Sequence, residues 1–232
     1  MRNVSYDQGN MRISIVGMDE VSTALGDLRR KTPAVAKVAI NATARRARKL
    51  MIAQAKARYA VNAAGQRHLK ELVQRKKASN KNLSAELHIS SFRNDLGYFK
   101  TSPKRPYIGK DVANAPSFFK GHVLKSSGMK TLSGGRGLSK GFLLPFKSGH
   151  IGMVQRVIGS RSSNTRTVRS GAPRWRNAQG HVEKLKTMGS PSATAMHNTI
   201  WPDVEPDVEL YLQQRLQEQI TKVMARAKAR KR

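Results

Sequence analysis

The chain contains no cysteine. Disulfides and thiolate metal sites are therefore excluded, and a reducing compartment suits it. Aromatic residues make up only 6% of the chain, and no strand is rich in them. That argues against a stacking platform for single-stranded nucleic acid. No apolar run approaches the roughly 20 residues needed to span a bilayer. The opening "MRNVSYDQGN" lacks an apolar signal-like stretch, so the chain is expected to stay where it is made unless an assembly carries it out. Apolar residues are scarce too, at 38%. A modest core with extended basic arms, finished by subunit contacts, is expected over residues 1–232 as a single domain.

Acid is the other scarcity. Asp and Glu number 14 against 44 Lys and Arg, a formal net charge of +30. The sequence pI is about 11.3, and a value above about 9 is a standard pointer to nucleic acid. Self-repulsion on this scale opposes a compact monomer unless polyanions or partner surfaces neutralise it.

What is present begins with "INATARRARKLMIAQAKAR", Ile40 to Arg58, with six Lys or Arg and no acid. Ala36, Ile40, Thr43, Ala47, Leu50, Gln54 and Ala57 recur at three- and four-residue steps and predict one helix face. That face is mostly small, so a neighbour can approach closely. Pro33 suits a helix start, with Thr32 as its N-cap. Arg45, Arg46, Lys49 and Lys56 fall on the far side. Surface helices usually interleave Glu with Lys, because i,i+4 pairs stabilise and like charges repel; nothing here offsets the repulsion.

Elsewhere "MRISIVG" (11–17) predicts a strand, followed by a short helix capped by Asp19 and ending near Lys31. "QRHLKELVQRKKA" predicts a further helical turn or two. "LSAELHIS" (83–90) alternates, with Leu83, Ala85, Leu87 and Ile89 on one face and His88 on the solvent side. Residues 97–141 are rich in Gly, Ser, Pro and Lys and read as a loop excursion. "FLLPFKSGHIGMVQRV" predicts a hairpin, with Gly149 in the turn and Pro145 at an edge or bulge. Residues 159–180 carry Arg161, Arg166, Arg169, Arg174 and Arg176 without an acid and read as a flexible basic arm. A last helix is expected near Pro206, with Val208, Leu212, Leu216, Ile220, Val223 and Ala227 as its stripe, acids in its first turn and bases in its last. The fold class expected is α+β: a small, mostly antiparallel sheet packed by a long N-terminal helix and a C-terminal helix, with long basic loops.

Nothing asks for an enzyme. No close pair of acids sits on a predicted strand end or in a cleft, and six scattered histidines lack metal-site spacing. "SGGRGLSKG" (133–141) has the glycines of a phosphate loop but not its GK[S/T] ending. No catalytic residue, cofactor, metal or small-molecule ligand is expected.

"FLLPFKSGHIGMVQRV", in which an apolar strand runs into a K-S-G-H-x-G turn and then an aliphatic-x-R strand, resembles a segment of the phage minor tail protein Z family, a tail-completion family; Lys147, Ser148, Gly149, His150, Gly152 and Arg156 carry the match. "RISIVGMDEVSTALGDL", "AINATARRARKLM" and "KKASNKNLSAEL" resemble further pieces in the family's order. "MGSPSATAM" resembles its G-P-S phrase, with Ser190 inserted. The resemblance covers most of the chain but not 97–141. It implies a virion structural protein in the head-proximal neck of a long tail, finishing the tail and joining it to the head. The implied arrangement is a homo-oligomeric ring around the DNA channel, with six-fold symmetry as one option. The implied partners are tail terminator, tail tube or head–tail connector proteins, with no membrane. Contacts to genomic DNA would be with phosphates, since passing DNA has no fixed sequence. The candidate contact residues are Arg45, Arg46, Arg48, Lys49, Arg161, Arg166, Arg169, Arg174 and Arg176. The alternative reading is a free, non-sequence-specific nucleic-acid-binding protein.

Overall fold

The computed structural model describes residues 3–71, 73–91, 93–107, 116–163 and 176–230. The architecture is α+β, with small antiparallel sheets packed by long helices. The chain divides into two compact units. The first comprises Met1–Ala57, Arg67–Phe92 and Pro191–Arg232; the second comprises Arg58–Gln66 and Arg93–Ser190. Residues 97–107 and 116–141, from the stretch expected as a loop excursion, lie in the second unit.

The first unit opens with a hairpin, of which the sequence pattern shows only the second strand, expected over 11–17 and ending at Ile13. β1 (Val4–Asp7) and β2 (Asn10–Ile13) pair around Gln8 and Gly9. Both turn residues have positive φ, 41° and 90°, which matches the right-handed twist of the flanking strands. After α1 (Met18–Leu25) and a 3₁₀ stretch (Gly26–Lys31) comes α2 (Thr32–Arg58). The chain continues through α3 (Ala63–Glu71), β3 (Val73–Lys76) and β4 (Ala85–Ile89). The sheet order is β1-β2-β4-β3. Val4, Met11, Ile13, Ala85, Leu87 and Ile89 are buried, and His88 faces out against Asn10, as the alternation requires. β3 falls where a continuing helix was expected: the β-branched Val73 leads a segment that pairs along the edge of β4.

α2 is the central support. Ala36, Ala39, Ile40, Thr43, Ala44, Ala47, Met51 and Ala55 are all buried. The face drifts away from the predicted line at its C-terminal end, where Gln54 and Ala57 are exposed. Thr32 is helical and its hydroxyl has no partner, so it is not an N-cap. Nor is Asp19: it lies in the first turn of α1, after a left-handed Gly17.

The terminal helix, α4 (Ala193–Arg230), begins well ahead of Pro206 and carries Pro202 and Pro206 within it. Interior prolines remove helix hydrogen bonds. Burial of Met196, Ile200, Trp201, Val204, Val208 and Leu212 compensates. Its cap is Ser192, whose hydroxyl accepts from Ala195 N–H at 3.1 Å. The acids of 203–209 therefore lie inside the helix rather than in its first turn, and the dipole does not account for them. Further along, Leu216, Ile220 and Val223 pack against Val21, Leu25 and Val35.

The second unit holds two small antiparallel sheets and a strand pair. β5 (Arg93–Asp95) runs into a 3₁₀ turn (Leu96–Tyr98), then β6 (Lys100–Ser102), β7 (Lys120–His122) and β8 (Lys130–Thr131), which pair in that order. Phe99 and Phe119 fill their core. β9 (Phe142–Pro145), β10 (Ile151–Arg156) and β11 (Leu185–Thr187) form the second sheet, with β10 central. β12 (Gly189–Ser192) pairs with β5. Pro145 sits on the exposed edge strand, where it breaks no ladder. Met153 and Val154 are both buried, whereas Ile158 is 59% exposed.

Candidate functional site

Asp95 and His150 anchor a polar cluster in the second unit. Asp95 precedes Leu96-Gly97, and its Oδ1 accepts from Gly97 N–H at 2.7 Å, the local turn that aspartate favours. The same oxygen accepts from Met153 N–H at 2.9 Å, while Oδ2 accepts from His150 Nε2 at 3.2 Å. His150 stacks on Tyr98 with ring centroids 4.2 Å apart and on Phe146 at 5.9 Å. Glycine is required beside them. A Cβ on Gly152 would lie 2.2 Å from Phe146 Cε2 and 2.4 Å from Asp95 Oδ2; one on Gly97 would lie 2.2 Å from Ile151 O. The K-S-G-H-x-G turn is thus a joint that fastens the β9–β10 hairpin to the 96–98 turn. Asn62 completes the clasp: its Nδ2 donates to the carbonyls of Gly97 and Phe99, and its Oδ1 accepts from Gly65 N–H.

Two other quoted phrases meet in the first unit. Asn41 of "AINATARRARKLM" donates to Ala78 O and accepts from Ala78 N–H, both at 3.0 Å. Ala78 belongs to "KKASNKNLSAEL". Both backbone groups of a loop residue are thereby satisfied by one side chain on α2.

The candidate cations separate into distinct roles. Arg45, Arg46 and Lys49 are exposed on α2. Arg46 lies over the Tyr211 ring at 5.8 Å. Arg48 is half-buried and donates to Lys70 O in the last turn of α3, a favourable place for a cation. Arg161 and Arg176 are exposed, and Arg176 donates to Gly180 O. Arg166, Arg169 and Arg174 lie outside the described residues.

The base of the predicted arm is built, not loose. Glu183 is 4% exposed, and its carboxylate accepts from Gly159 N–H at 2.8 Å. Ser162 N–H donates to Val182 O, and Lys184 N–H to the Ser160 hydroxyl. Arg156 stacks over Phe142 at 4.9 Å; burial lowers its pKa, and the Glu183 charge opposes that shift.

Sequence reasoning missed Asp95, Asn62, Asn41 and Glu183. Asp-x-Gly in "NDLGY" and Asn-x-x-Gly in "NAAGQ" carry local turn chemistry and were the available signals; the distant partners were not visible. Among the described residues, no group of three or more His, Cys, Asp or Glu could hold a metal ion. Among them also, no helix is long and apolar enough to cross a membrane. Comparison of the chain with family models, curated proteins and solved structures finds no match.

Proposed function

We propose that this chain is a virion structural protein that completes the head-proximal end of a phage tail and joins it to the head, as one subunit of a homo-oligomeric ring around the DNA channel. One observation carries the reading. The residues that bear the family resemblance are the joints of this fold: Asn41 on Ala78, His150 on Asp95, Gly152 against Phe146, and Ser192 at the head of α4. The cations in the same phrases divide. Arg48 is used by the fold, while Arg45 and Lys49 stay exposed on α2 without an acid among their helix neighbours. A charge that folding does not use is available for tail terminator, tail tube or connector proteins, or for DNA phosphates. The role is one of packing and charge rather than catalysis.

The test is reversal of Arg45, Lys49 and Arg161 to Glu in the phage that encodes the chain. Tails that fail to join heads, or virions that lose DNA, are expected, with the purified variant still folded. Normal particles with DNA retained would refute the role. The exposed cations equally favour a free nucleic-acid-binding protein. That reading predicts duplex binding by the purified chain, with log affinity falling by roughly 0.9 per log salt for each phosphate contact, and no copies in virions.

A further inference from the structure

The first unit carries a groove of about 550 Å³ beside the C-terminal half of α4. Val35, Val38 and Val223 line it, and Lys31, Arg226 and Arg230 stand around it; its lining includes no acid. Val38 remains 40% exposed, so apolar surface is left open amid positive charge. Such a surface selects an apolar knob flanked by carboxylates.

The chain carries that knob itself. Acids are rare here, yet four of the 14 fall between Asp203 and Glu209. Asp203, Pro206, Asp207 and Leu210 are all exposed and follow helical three- and four-residue steps, so they share one face of α4. Leu210 is 54% exposed, a large apolar side chain with acids one turn before it and two. Asp207 and Arg226 lie on one continuous helix, roughly 28 Å apart at 1.5 Å per residue. One chain cannot lay the first patch on the second, but two chains can.

We infer that the Val35–Val38–Val223 groove receives the Asp203–Asp207–Leu210 face of α4 from a second copy of this chain. Leu210 enters between Val38 and Val223, and Asp203 and Asp207 meet Lys31, Arg226 and Arg230. Two different patches are used, so the contact is head-to-tail and repeats; it closes into a ring when the rotation per subunit permits. At physiological salt, charges farther apart than about 8 Å are screened, so chain-wide repulsion weakens while the contacting pairs persist. The inference deepens the ring reading proposed above and rests on it for its biological setting, but the contact itself is read on purified protein.

The experiment measures molar mass by light scattering at 0.15 M salt for the full chain, for Arg226→Glu/Arg230→Glu, for Asp203→Lys/Asp207→Lys, and for an equimolar mixture of the two variants. The wild-type chain should self-associate with rising concentration. Each variant alone should associate at least tenfold more weakly. The mixture should recover association, because each variant then offers the charge the other needs. The exchange also guards against misfolding, since a misfolded chain would not rescue its partner. A monomeric wild type, variants that associate unchanged, or a mixture that stays dissociated overturns the inference. Neck particles that contain the chain while the purified groove variant associates normally would overturn the groove and leave the tail role standing; absence from virions would overturn the tail role alone.

Discussion

His197 should make the first unit acid-labile. It sits in α4 with no exposed surface, and neither ring nitrogen has a hydrogen-bond partner. Burial lowers its pKa from the ordinary 6.5 to about 4. The unfolded chain takes up a proton near pH 6.5, and the folded chain does so only near pH 4. Between those values acid favours the unfolded state, so stability held above pH 6.5 is lost as the pH falls towards 4. The full effect is roughly 3 kcal/mol, and about 2 kcal/mol of it is already lost at pH 5. His197→Leu abolishes this titration, and at pH 7 it is neutral or stabilising by about 1 kcal/mol because a buried unpaired polar group is gone. Trp201 lies one turn along the helix, is 7% exposed and stacks on Tyr6, so its fluorescence reports on this region. Urea unfolding in a Trp175→Phe background at pH 7 and pH 5 would measure both chains. Carboxylates also titrate in this range, so the decisive quantity is the difference between wild type and His197→Leu. Equal pH dependence in the two would refute a neutral, buried imidazole.

Two further predictions concern the joints. Gly152→Ala should destabilise the second unit by about 1–3 kcal/mol, since the new methyl overlaps Phe146 and Asp95; a lowered thermal midpoint with weakened amide protection of Met153 would show it. Asn41→Leu should cost roughly 1–3 kcal/mol and speed hydrogen exchange at Ala78, because the loop loses a donor and an acceptor together; unchanged exchange at Ala78 would contradict the clamp.

Local regularities were legible because they depend on neighbours in sequence. The alternation of Ala85, Leu87 and Ile89 gave a strand and its inner face. Ala36, Ile40, Thr43 and Ala47 gave the helix spine, and Gly149 at φ 79° gave a hairpin turn. In the N-terminal hairpin the second strand was legible, but the first strand and the turn were not, since "VSYDQG" mixes polar and apolar residues and its Gln-Gly turn is an uncommon form of the signal. The start of α4 was hidden by Pro202 and Pro206. Helix propensity argues against them, and only burial of Ile200, Trp201 and Val204 outweighs it.

By itself the sequence determined the α+β class, the absence of disulfides, the surplus of cations and the positions of several turns, because composition and short-range periodicity fix these directly. Only the tertiary structure decided which cations the fold consumes and which it leaves outside, and which residues hold the joints. Arg45 and Arg48 belong to one basic run, yet one is exposed and the other binds the end of α3. Asp95 and His150, or Asn41 and Ala78, meet across dozens of residues. No local pattern encodes such a meeting: it depends on where the packed sheets and helices return the chain, and a polar side chain is held only where a partner comes within hydrogen-bonding distance.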